Sequence, residues 1–269
     1  MKILIPTDFS PLSKIAIKYA VGLSKDIAIH LILIHVIDTS TPARARLSSK
    51  TIEEAIKKSS EEDMQMLLKS IRAEHGHTPK ISSKIIFGPS IEEEVETFGL
   101  KNNIDLICIG TKGASGLKKV LMGSNAARII ENSSIPVLTI PEYARYKGVK
   151  NIVYPSDLSH LEEELEVIIS FAKLMDARVH IVHIDQGNEN NKNQENRLRK
   201  IFSYRKIDFI ELKDLSVVHG INRCVANVDA DLVTMFTNST NLFKRLFRKS
   251  ITKNTAFQTR TPLLTFQKD

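Results

Sequence analysis

The sequence predicts a doubly wound α/β fold that occurs twice along the chain. In the first half, short runs rich in β-branched residues alternate with longer segments whose apolar residues recur every three or four positions. The strand-like runs are almost unbroken in apolar residues, as expected for a parallel sheet covered by helices on both faces. From Asn151 the chain repeats its opening segment in altered form: KILIPTDFSPLSKIAIKYAVGLSKDIAIHLILIHVID becomes NIVYPSDLSHLEEELEVIISFAKLMDARVHIVHID.

The first copy is predicted to contain five strands and four helices. The strands are Ile3–Pro6, Ala28–Val36, Ile81–Phe87, Ile104–Gly110 and Val137–Ile140, and the helices are Leu12–Ser24, Lys50–Glu74, Ser90–Lys101 and Asn125–Asn132. The first helix has a clear start, because the Ser10 hydroxyl can cap it and Pro11 lacks the N–H group that would have no partner there.

The repeat sets the domain organisation. Positions that match between the copies are Pro6 and Pro155, Asp8 and Asp157, Ser10 and Ser159, His35 and His183, and Ser124 and Ser250. We therefore expect two tandem domains, residues 1–146 and 147–269, each long enough to bury a core of its own. The second copy is shorter mainly after its second strand.

Composition and charge exclude several classes of protein. Hydrophobic residues make up 42% of the chain and charged residues 26%, which is typical of a globular protein. Subtracting 31 Asp and Glu from 38 Lys and Arg leaves a net charge of +7, and both halves share the excess. Nucleic-acid binders usually concentrate their basic residues on one face or in one tail, so we expect no nucleic-acid partner. Since no apolar run reaches the length of a membrane span and MKILIPTDFS does not fit a signal peptide, we expect a cytoplasmic protein without a membrane partner.

Two cysteines, Cys108 and Cys224, occur in apolar contexts without a second cysteine or histidine at metal-ligand spacing. We expect both to fill the core, and neither a disulfide scaffold nor a zinc site.

A ligand crevice is predicted at one edge of the sheet. In doubly wound folds it lies beyond the carboxyl ends of the strands, where the strand order changes direction. The loops to consider are therefore those after the first, second and fourth strands, residues 6–10, 35–39 and 110–124.

The loop after the fourth strand is rich in glycine and reads GTKGASGLKKVLMGSN from Gly110 to Asn125. We expect these glycines to turn through positive φ and to let a ligand approach the backbone. A helix that opens at Gly123-Ser124-Asn125 would offer free N–H groups and a positive dipole end to a phosphate. The spacing fits neither a P-loop nor a dinucleotide motif. Glycines that serve only tight turns remain an alternative.

Together these residues carry a family resemblance. Gly110-x2-Gly113-x9-Gly123-Ser124 resembles the G-2x-G-9x-G-(S/T) signature of ATP-binding universal stress proteins, and PTDFS and HVID at the strand ends are typical of the same family. The chain is similar to the subclass with two tandem copies. The resemblance implies Rossmann-like five-stranded parallel sheets in the order 3-2-1-4-5, with ATP or AMP, with or without Mg²⁺, held across the strand ends.

The resemblance also implies which residues hold the nucleotide. Asp8 would contact the ribose hydroxyls beside Thr7, and the main chain of Val36 would contact the adenine. The phosphate side of the site would be formed by Gly110, Gly113, Gly123, Ser124 and Asn125. Each role has a simpler alternative: Asp8 could satisfy backbone donors at the start of the next helix, and Ser124 could be only an N-cap.

The second copy departs from the signature. In the last part of each copy, where matched positions such as Ser124 and Ser250 are 126 residues apart, Gly110, Gly113, Gly116 and Gly123 become Phe236, Ser239, Leu242 and Lys249. Side chains at these positions restrict positive φ and occupy space that the signature leaves open, so we expect no ATP in this half. The basic segment 244–249 either binds another anion by charge or is a solvated loop whose Phe243, Leu246 and Phe247 pack inward.

Other candidate residues form no catalytic arrangement. His35 and His183 end matching strands, where histidine often satisfies a backbone group; His75 and His77 lie in a polar turn; Asp157 and Ser159 lack a third partner. No metal site is predicted.

Three functions follow from this reading. The first is a stress-response or regulatory protein that binds adenine nucleotide and acts through ligand-dependent contact with a protein partner, with loops 38–49 and 110–124 as moving parts. The second is an interaction scaffold that uses no nucleotide. The third is a slow ATPase, for which Asp8 is the obvious carboxylate. The last strands, Val137–Ile140 and Leu263–Phe266, could pair within the chain as a pseudo-dimer, or two chains could form a homodimer.

Overall fold

The computed structural model describes residues 1–40, 50–74, 79–111, 123–185, 194–237 and 261–267. These residues form two compact units: unit 1 ends at Tyr146 and unit 2 begins at Lys147. Of the helices in the described part of the chain, none combines the length and the hydropathy that crossing a membrane requires.

Unit 1 is a parallel sheet with helices between its strands. The strands are β1 (Lys2–Pro6), β2 (His30–Asp38), β3 (Lys80–Gly88), β4 (Leu106–Gly110) and β5 (Val137–Ile140). The helices are α1 (Pro11–Leu23), α2 (Lys50–Glu74), α3 (Ile91–Lys101) and α4 (Ser124–Asn132). The strands are parallel in the order β3-β2-β1-β4-β5. The predicted α/β fold and strand order are confirmed.

The largest difference from the predicted elements concerns β2, which begins and ends two residues later than expected. The bounds of β2 follow from its hydrogen-bonded pairing with β1 and β3. His30 is the first residue to pair with β1, opposite Lys2, and Asp38 still pairs with Gly88 at the end of β3. Hydropathy alone predicts a strand from Ala28, but the neighbouring strands decide where the ladder starts and stops.

The core of unit 1 lies on both faces of its sheet. On the face that carries α1, Ala16, Ile17 and Ala20 are buried against the strands. The buried Cys108 thiol donates a hydrogen bond to the Ala16 carbonyl oxygen, at 3.7 Å, so this cysteine fills core as expected. The Ser10 hydroxyl caps α1 by accepting from the Ser13 N–H at 3.3 Å.

Unit 2 has the same arrangement of strands. They are β6 (Asn151–Pro155), β7 (Arg178–Asp185), β8 (Ile207–Lys213), β9 (Leu232–Phe236) and β10 (Leu263–Phe266). The helices are α5 (Leu161–Met175), α6 (Gln194–Ile201) and α7 (Val217–Asn227). The strands run parallel in the order β8-β7-β6-β9-β10. Cys224 is one of the buried residues of α7.

Candidate functional site

A cavity of about 440 Å³ opens at the carboxyl ends of β1, β2 and β4 in unit 1. Seven of the eight residues that the resemblance assigns to a nucleotide line it: Thr7, Asp8, Val36, Gly110, Gly123, Ser124 and Asn125. The eighth, Gly113, lies outside the described residues, as do Gly116, His75, His77 and residues 41–49 of the loop after β2. Three loops that are distant in sequence therefore meet around one space.

The loop after β1 is held in place by its own hydroxyl groups. Thr7 is buried, its hydroxyl lies 3.0 Å from that of Ser13, and it accepts a hydrogen bond from the Phe9 N–H at 3.1 Å. Phe9 adopts a left-handed conformation with φ of 62°. The Thr7 side chain is thus engaged within the loop, and its contribution to the cavity is to fix the backbone beside Asp8.

Asp8 presents an exposed carboxylate at the cavity. Its Oδ1 atom accepts a hydrogen bond from the Ser10 N–H at 3.1 Å. Partial burial alone would raise the pKa of Asp8, but hydrogen bonds from Ser10 and Ser13 outweigh burial and lower it below the ordinary value. The carboxylate is therefore charged at neutral pH. It satisfies a backbone donor at the start of α1, as one of the alternatives from sequence expected, and it also faces the cavity.

Val36 offers its main chain rather than its side chain. The Thr7 N–H donates to the Ile34 carbonyl oxygen at 2.9 Å, so the polar main-chain groups of Ile34 face β1. Along a strand these groups alternate in direction, so those of Val36 point to the same side as those of Ile34. On that side β1 has already ended at Pro6. The N–H and C=O groups of Val36 thus face the gap beyond β1, and its side chain is buried.

The glycines do not act as expected from sequence. Gly110 is the last residue of β4 and pairs with Ile140, so it has extended backbone. Its need for glycine is steric: a β-carbon there would lie 2.8 Å from the carbonyl oxygen of Leu12 in α1. Gly123 has φ of −66°. The prediction that these two glycines turn through positive φ is wrong; within the described residues the glycine with positive φ is Gly148.

The start of α4 is open toward the cavity. Gly123 occupies the N-cap and Ser124 is the first helical residue, so the alternative of Ser124 as an N-cap is wrong. No side chain among the described residues caps this helix, whereas Ser10 and Ser90 cap α1 and α3. The first N–H groups of a helix have no partner within it. At the start of α4 these N–H groups form the positive end of the helix dipole, and the residues that carry them line the cavity.

Sequence reasoning missed part of the lining. The further lining residues are Pro6, Ser10, Leu12, Ser13, Ile34, His35, Ile91, Ile109 and Ala126. His35 had been considered only as a residue that satisfies a backbone group, which it does by binding the Thr7 carbonyl oxygen. Ile91 opens α3, after β3. Because all parallel strands end at the same edge, the loop after β3 could have been included from the start.

Charge in the cavity is sparse. Among the described lining residues, Asp8 carries the single carboxylate, and the lining has no lysine or arginine. In that part of the chain no three His, Cys, Asp or Glu residues are grouped as for a metal ion. Among the described lining residues, the positive electrostatic contribution therefore comes from main-chain N–H groups at the start of α4.

Unit 2 differs at the equivalent strand ends. Phe236, in place of Gly110, is buried and stacks on Phe266 with ring centroids 5.2 Å apart. The Asp157 Oδ1 atom accepts from both the N–H and the hydroxyl of Ser159, at 3.1 and 2.7 Å. With its hydroxyl used in this way, Ser159 does not cap α5, which starts at Leu161. The predicted changes at Ser239, Leu242 and Lys249, the matched Ser250 and the basic segment 244–249 lie outside the described residues.

Comparison with known proteins agrees with this architecture. The model of the universal stress protein family matches residues 1–141. Universal stress protein MJ0531 of Methanocaldococcus jannaschii is 36% identical over 143 residues, which are 52% of this chain and 81% of that protein. Universal stress protein MJ0577 of the same organism is 30% identical over 152 residues, 52% of this chain and 93% of its own.

The fold similarity extends over the whole chain. The crystal structure of a universal stress protein from Archaeoglobus fulgidus superposes with a TM-score of 0.78, covering 100% of this chain and 98% of that chain at 17% identity. At this identity the similarity concerns the fold. With the family match over residues 1–141, it shows that the chain belongs to the universal stress protein family.

Proposed function

We propose that the cavity of unit 1 binds an adenine nucleotide, ATP or AMP. The observation that carries this proposal is the convergence of the uncapped start of α4 and the charged Asp8 carboxylate on one cavity of about 440 Å³. This volume lies within the range usual for small-molecule sites. N–H groups at a helix start suit phosphate oxygens, and a carboxylate suits the two hydroxyls of a ribose.

The base would lie against the end of β2. The main-chain groups of Val36 face the gap beyond β1, where a donor and an acceptor side by side can pair with the edge of an adenine ring. Gly110 lets the end of β4 pack directly against the start of α1 beside the cavity, since a β-carbon there would lie 2.8 Å from the Leu12 carbonyl oxygen. Because one carboxylate faces the cavity in the described lining, a Mg²⁺ ion would take most of its ligands from the phosphates and water.

We further propose that the protein acts through ligand-dependent contact with a protein partner rather than through turnover. Phosphoryl transfer needs a metal-binding carboxylate and a group that positions the nucleophile; Asp8 is the single carboxylate of the described lining, and the Nδ1 atom of His35 is held by the Thr7 carbonyl oxygen. A ligand shifts a conformation only by its different affinity for the two states, so the partner must distinguish empty from occupied protein.

For unit 2, residues 147–269, we propose a second copy that holds no nucleotide in this manner. Phe236 fills the position of Gly110 and stacks on Phe266 at the strand ends. A surface for the protein partner is the role we assign to this unit.

The test is the nucleotide content and the nucleotide affinity of the purified chain. After denaturation, the supernatant is separated by anion exchange, and thermal unfolding is followed with ATP, AMP and adenosine, with and without Mg²⁺. We expect about one nucleotide per chain at saturation, and a stabilisation of about 2.7 kcal/mol when the ligand is at 100 times its Kd.

Asp8→Asn and Asp157→Asn form a matched pair, since the two residues occupy the same position in the two copies. Asp8→Asn should weaken binding by about 10- to 100-fold, as expected for the loss of hydrogen bonds to a charged group. Asp157→Asn should leave binding unchanged. Two nucleotides per chain would contradict the proposal for unit 2. If no nucleotide binds at millimolar concentration, the proposed site is wrong and the nucleotide-independent scaffold is the favoured function. ATP turnover that disappears in Asp8→Asn would favour the slow ATPase.

A further inference from the structure

Unit 1 contains a second cavity, of about 540 Å³, between α1, α2 and residues 144–146. It shares no lining residue with the cavity at the strand ends. We call it the helix groove. Helix α1 contributes to both cavities, but with different residues: Leu12 and Ser13 line the first, and Lys14 and Ile17 line the helix groove.

One wall of the helix groove is built by Tyr146. Its ring meets that of Tyr19 edge-on, with centroids 5.2 Å apart and planes at 90°, and its hydroxyl donates a hydrogen bond to the Asp26 carboxylate. The Tyr146 side chain rests directly on Gly22, where an added β-carbon would lie 2.6 Å from the Tyr146 β-carbon. Since glycine at position 22 makes room for this packing, the wall has a fixed position.

The floor of the groove is apolar. Ile17 on α1 and Leu67 and Ile71 on α2 line it and are themselves 95% buried or more. These side chains belong to the packing between the two helices and the sheet, so the floor does not depend on a ligand. Because these three side chains expose little surface, a hydrocarbon chain in the groove would contact mainly the more accessible Pro11, Ile15 and Tyr146 beside them.

The rim of the groove is cationic. Lys14, Lys18, Lys25 and Arg145 line it, against a single carboxylate, Glu74. Glu74 is already paired, since its Oε2 atom lies 2.7 Å from Lys18 Nζ. Lys14 and Lys25 are exposed and form no ion pair with any described carboxylate. Lys14 lies in the first turn of α1 and Lys25 lies two residues beyond its last residue, Leu23, so each end of the groove carries a positive charge without an ion-pair partner among the described residues.

We propose that the helix groove binds a free linear carboxylate with a hydrocarbon chain, of the long-chain fatty acid type. The chain lies along Pro11, Ile15 and Tyr146, above the buried Ile17, Leu67 and Ile71, and the carboxylate meets Lys14 or Lys25 at one end. An apolar floor below a cationic rim is complementary to an apolar body with one negative head. A cavity of this volume accommodates a small molecule and is within the usual range of ligand sites.

The probe is dodecanoate, used below its micelle concentration and titrated into the whole chain by isothermal calorimetry. Dodecyltrimethylammonium has the same chain with a positive head and is the control for charge. We expect saturable binding of dodecanoate and none of the cationic probe. Octanoate is four methylenes shorter and should bind at least about tenfold more weakly, since four fully buried methylenes at roughly fourfold each would change the affinity by up to about 250-fold.

Two variants test the location, each with a matched control. Ser70→Trp places a large ring in the groove from an exposed position of α2, and Ser59→Trp makes the same change about three helical turns away, outside the groove. Lys14→Glu/Lys25→Glu reverses both end charges, and Lys69→Glu/Lys84→Glu changes the net charge equally elsewhere in unit 1. We expect the first of each pair to weaken dodecanoate binding by about tenfold or more and the control to change it by less than about twofold.

Three results would overturn the proposal: no saturable binding of dodecanoate, equal binding of the cationic probe, or unchanged affinity in Ser70→Trp. Binding is also measured in Asp8→Asn, where it should persist. The helix groove is thereby tested independently of the nucleotide site.

Discussion

The Nδ1 atom of His35 lies 2.8 Å from the carbonyl oxygen of Thr7, tying the end of β2 to the loop after β1. Unit 2 has the same contact between His183 and the carbonyl oxygen of Ser156, at 3.1 Å. Unit 2 keeps this bond although Phe236 has replaced the glycine of unit 1. The bond therefore stabilises the strand ends themselves, and in unit 1 it also fixes the backbone that carries Asp8.

Removing this bond should have different consequences in the two units. His35→Ala is expected to lower the free energy of unfolding by about 1 kcal/mol, the usual contribution of one hydrogen bond, and to weaken nucleotide binding by about tenfold because the Asp8 loop loses its anchor. His183→Ala should have a similar effect on stability and none on nucleotide binding. Urea denaturation and calorimetric titration measure the two quantities. Weaker nucleotide binding in His183→Ala than in His35→Ala would contradict a site in unit 1.

Gly110→Ala should act on stability. A β-carbon at this position would lie 2.8 Å from the Leu12 carbonyl oxygen, and backbone cannot move aside as a flexible side chain can. We expect a loss of about 1–3 kcal/mol in urea denaturation, typical of overpacking. Ser124→Ala is the control, since this exposed residue should change stability by less than about 0.5 kcal/mol while weakening nucleotide binding. Wild-type stability in Gly110→Ala would show that α1 can shift away from β4.

We expect the ionisation of Asp8 to cause no change in adenosine affinity between pH 8 and pH 5. The pKa of Asp8 is lowered below its ordinary value of 3.8, because hydrogen bonds to the carboxylate outweigh burial. A lowered pKa means that the charge is retained through this range and is lost only at more acidic pH. Adenosine serves as the probe since it carries no phosphate to titrate. A decline in affinity toward pH 5 that disappears in Asp8→Asn would contradict this assignment.

Tyr154 and Glu164 form a buried polar pair in unit 2. The Tyr154 hydroxyl donates to Glu164 Oε2, and Oε1 of the same carboxylate is buried without a hydrogen-bond partner. Tyr154→Phe would leave the carboxylate with no donor from this ring, so we expect a loss of about 2–3 kcal/mol in urea denaturation. Tyr154→Phe/Glu164→Leu should recover most of it, because an apolar pair removes the unsatisfied group. No recovery in the double variant would show that the cost lies in packing.

The same pair predicts a change of stability with alkaline pH. Burial, and then the negative charge of Glu164, raise the pKa of Tyr154 above its ordinary value of 10.0. A raised pKa contributes stability that is present below the unfolded value and declines as pH rises above it. The free energy of unfolding should therefore fall above about pH 10, by less in Tyr154→Phe than in the wild-type chain. Parallel decline in both proteins would assign the effect to other groups.

Much of the fold was accessible from local sequence patterns. The helix Lys50–Glu74 and the strand Val137–Ile140 have the predicted bounds, and β2 differs by two residues at each end. The carboxyl edge of the sheet was also predicted as the place where Asp8 and the loop from Gly110 meet. These inferences succeed because hydrophobic periodicity, the Ser10-Pro11 helix start and the glycine spacing are each properties of neighbouring residues.

By itself, the sequence determined the repeated α/β fold, the order of its elements and the residues that surround the strand ends. The tertiary structure decided how those residues are used. Gly110 is required by its distance to Leu12 rather than by its φ, and the Thr7 hydroxyl is engaged by Ser13. It also decided that α1, α2 and Tyr146 enclose a groove with a cationic rim. The physical reason is that such contacts depend on strand register and on how closely helices pack on the sheet, and neither is specified by any single stretch of the chain.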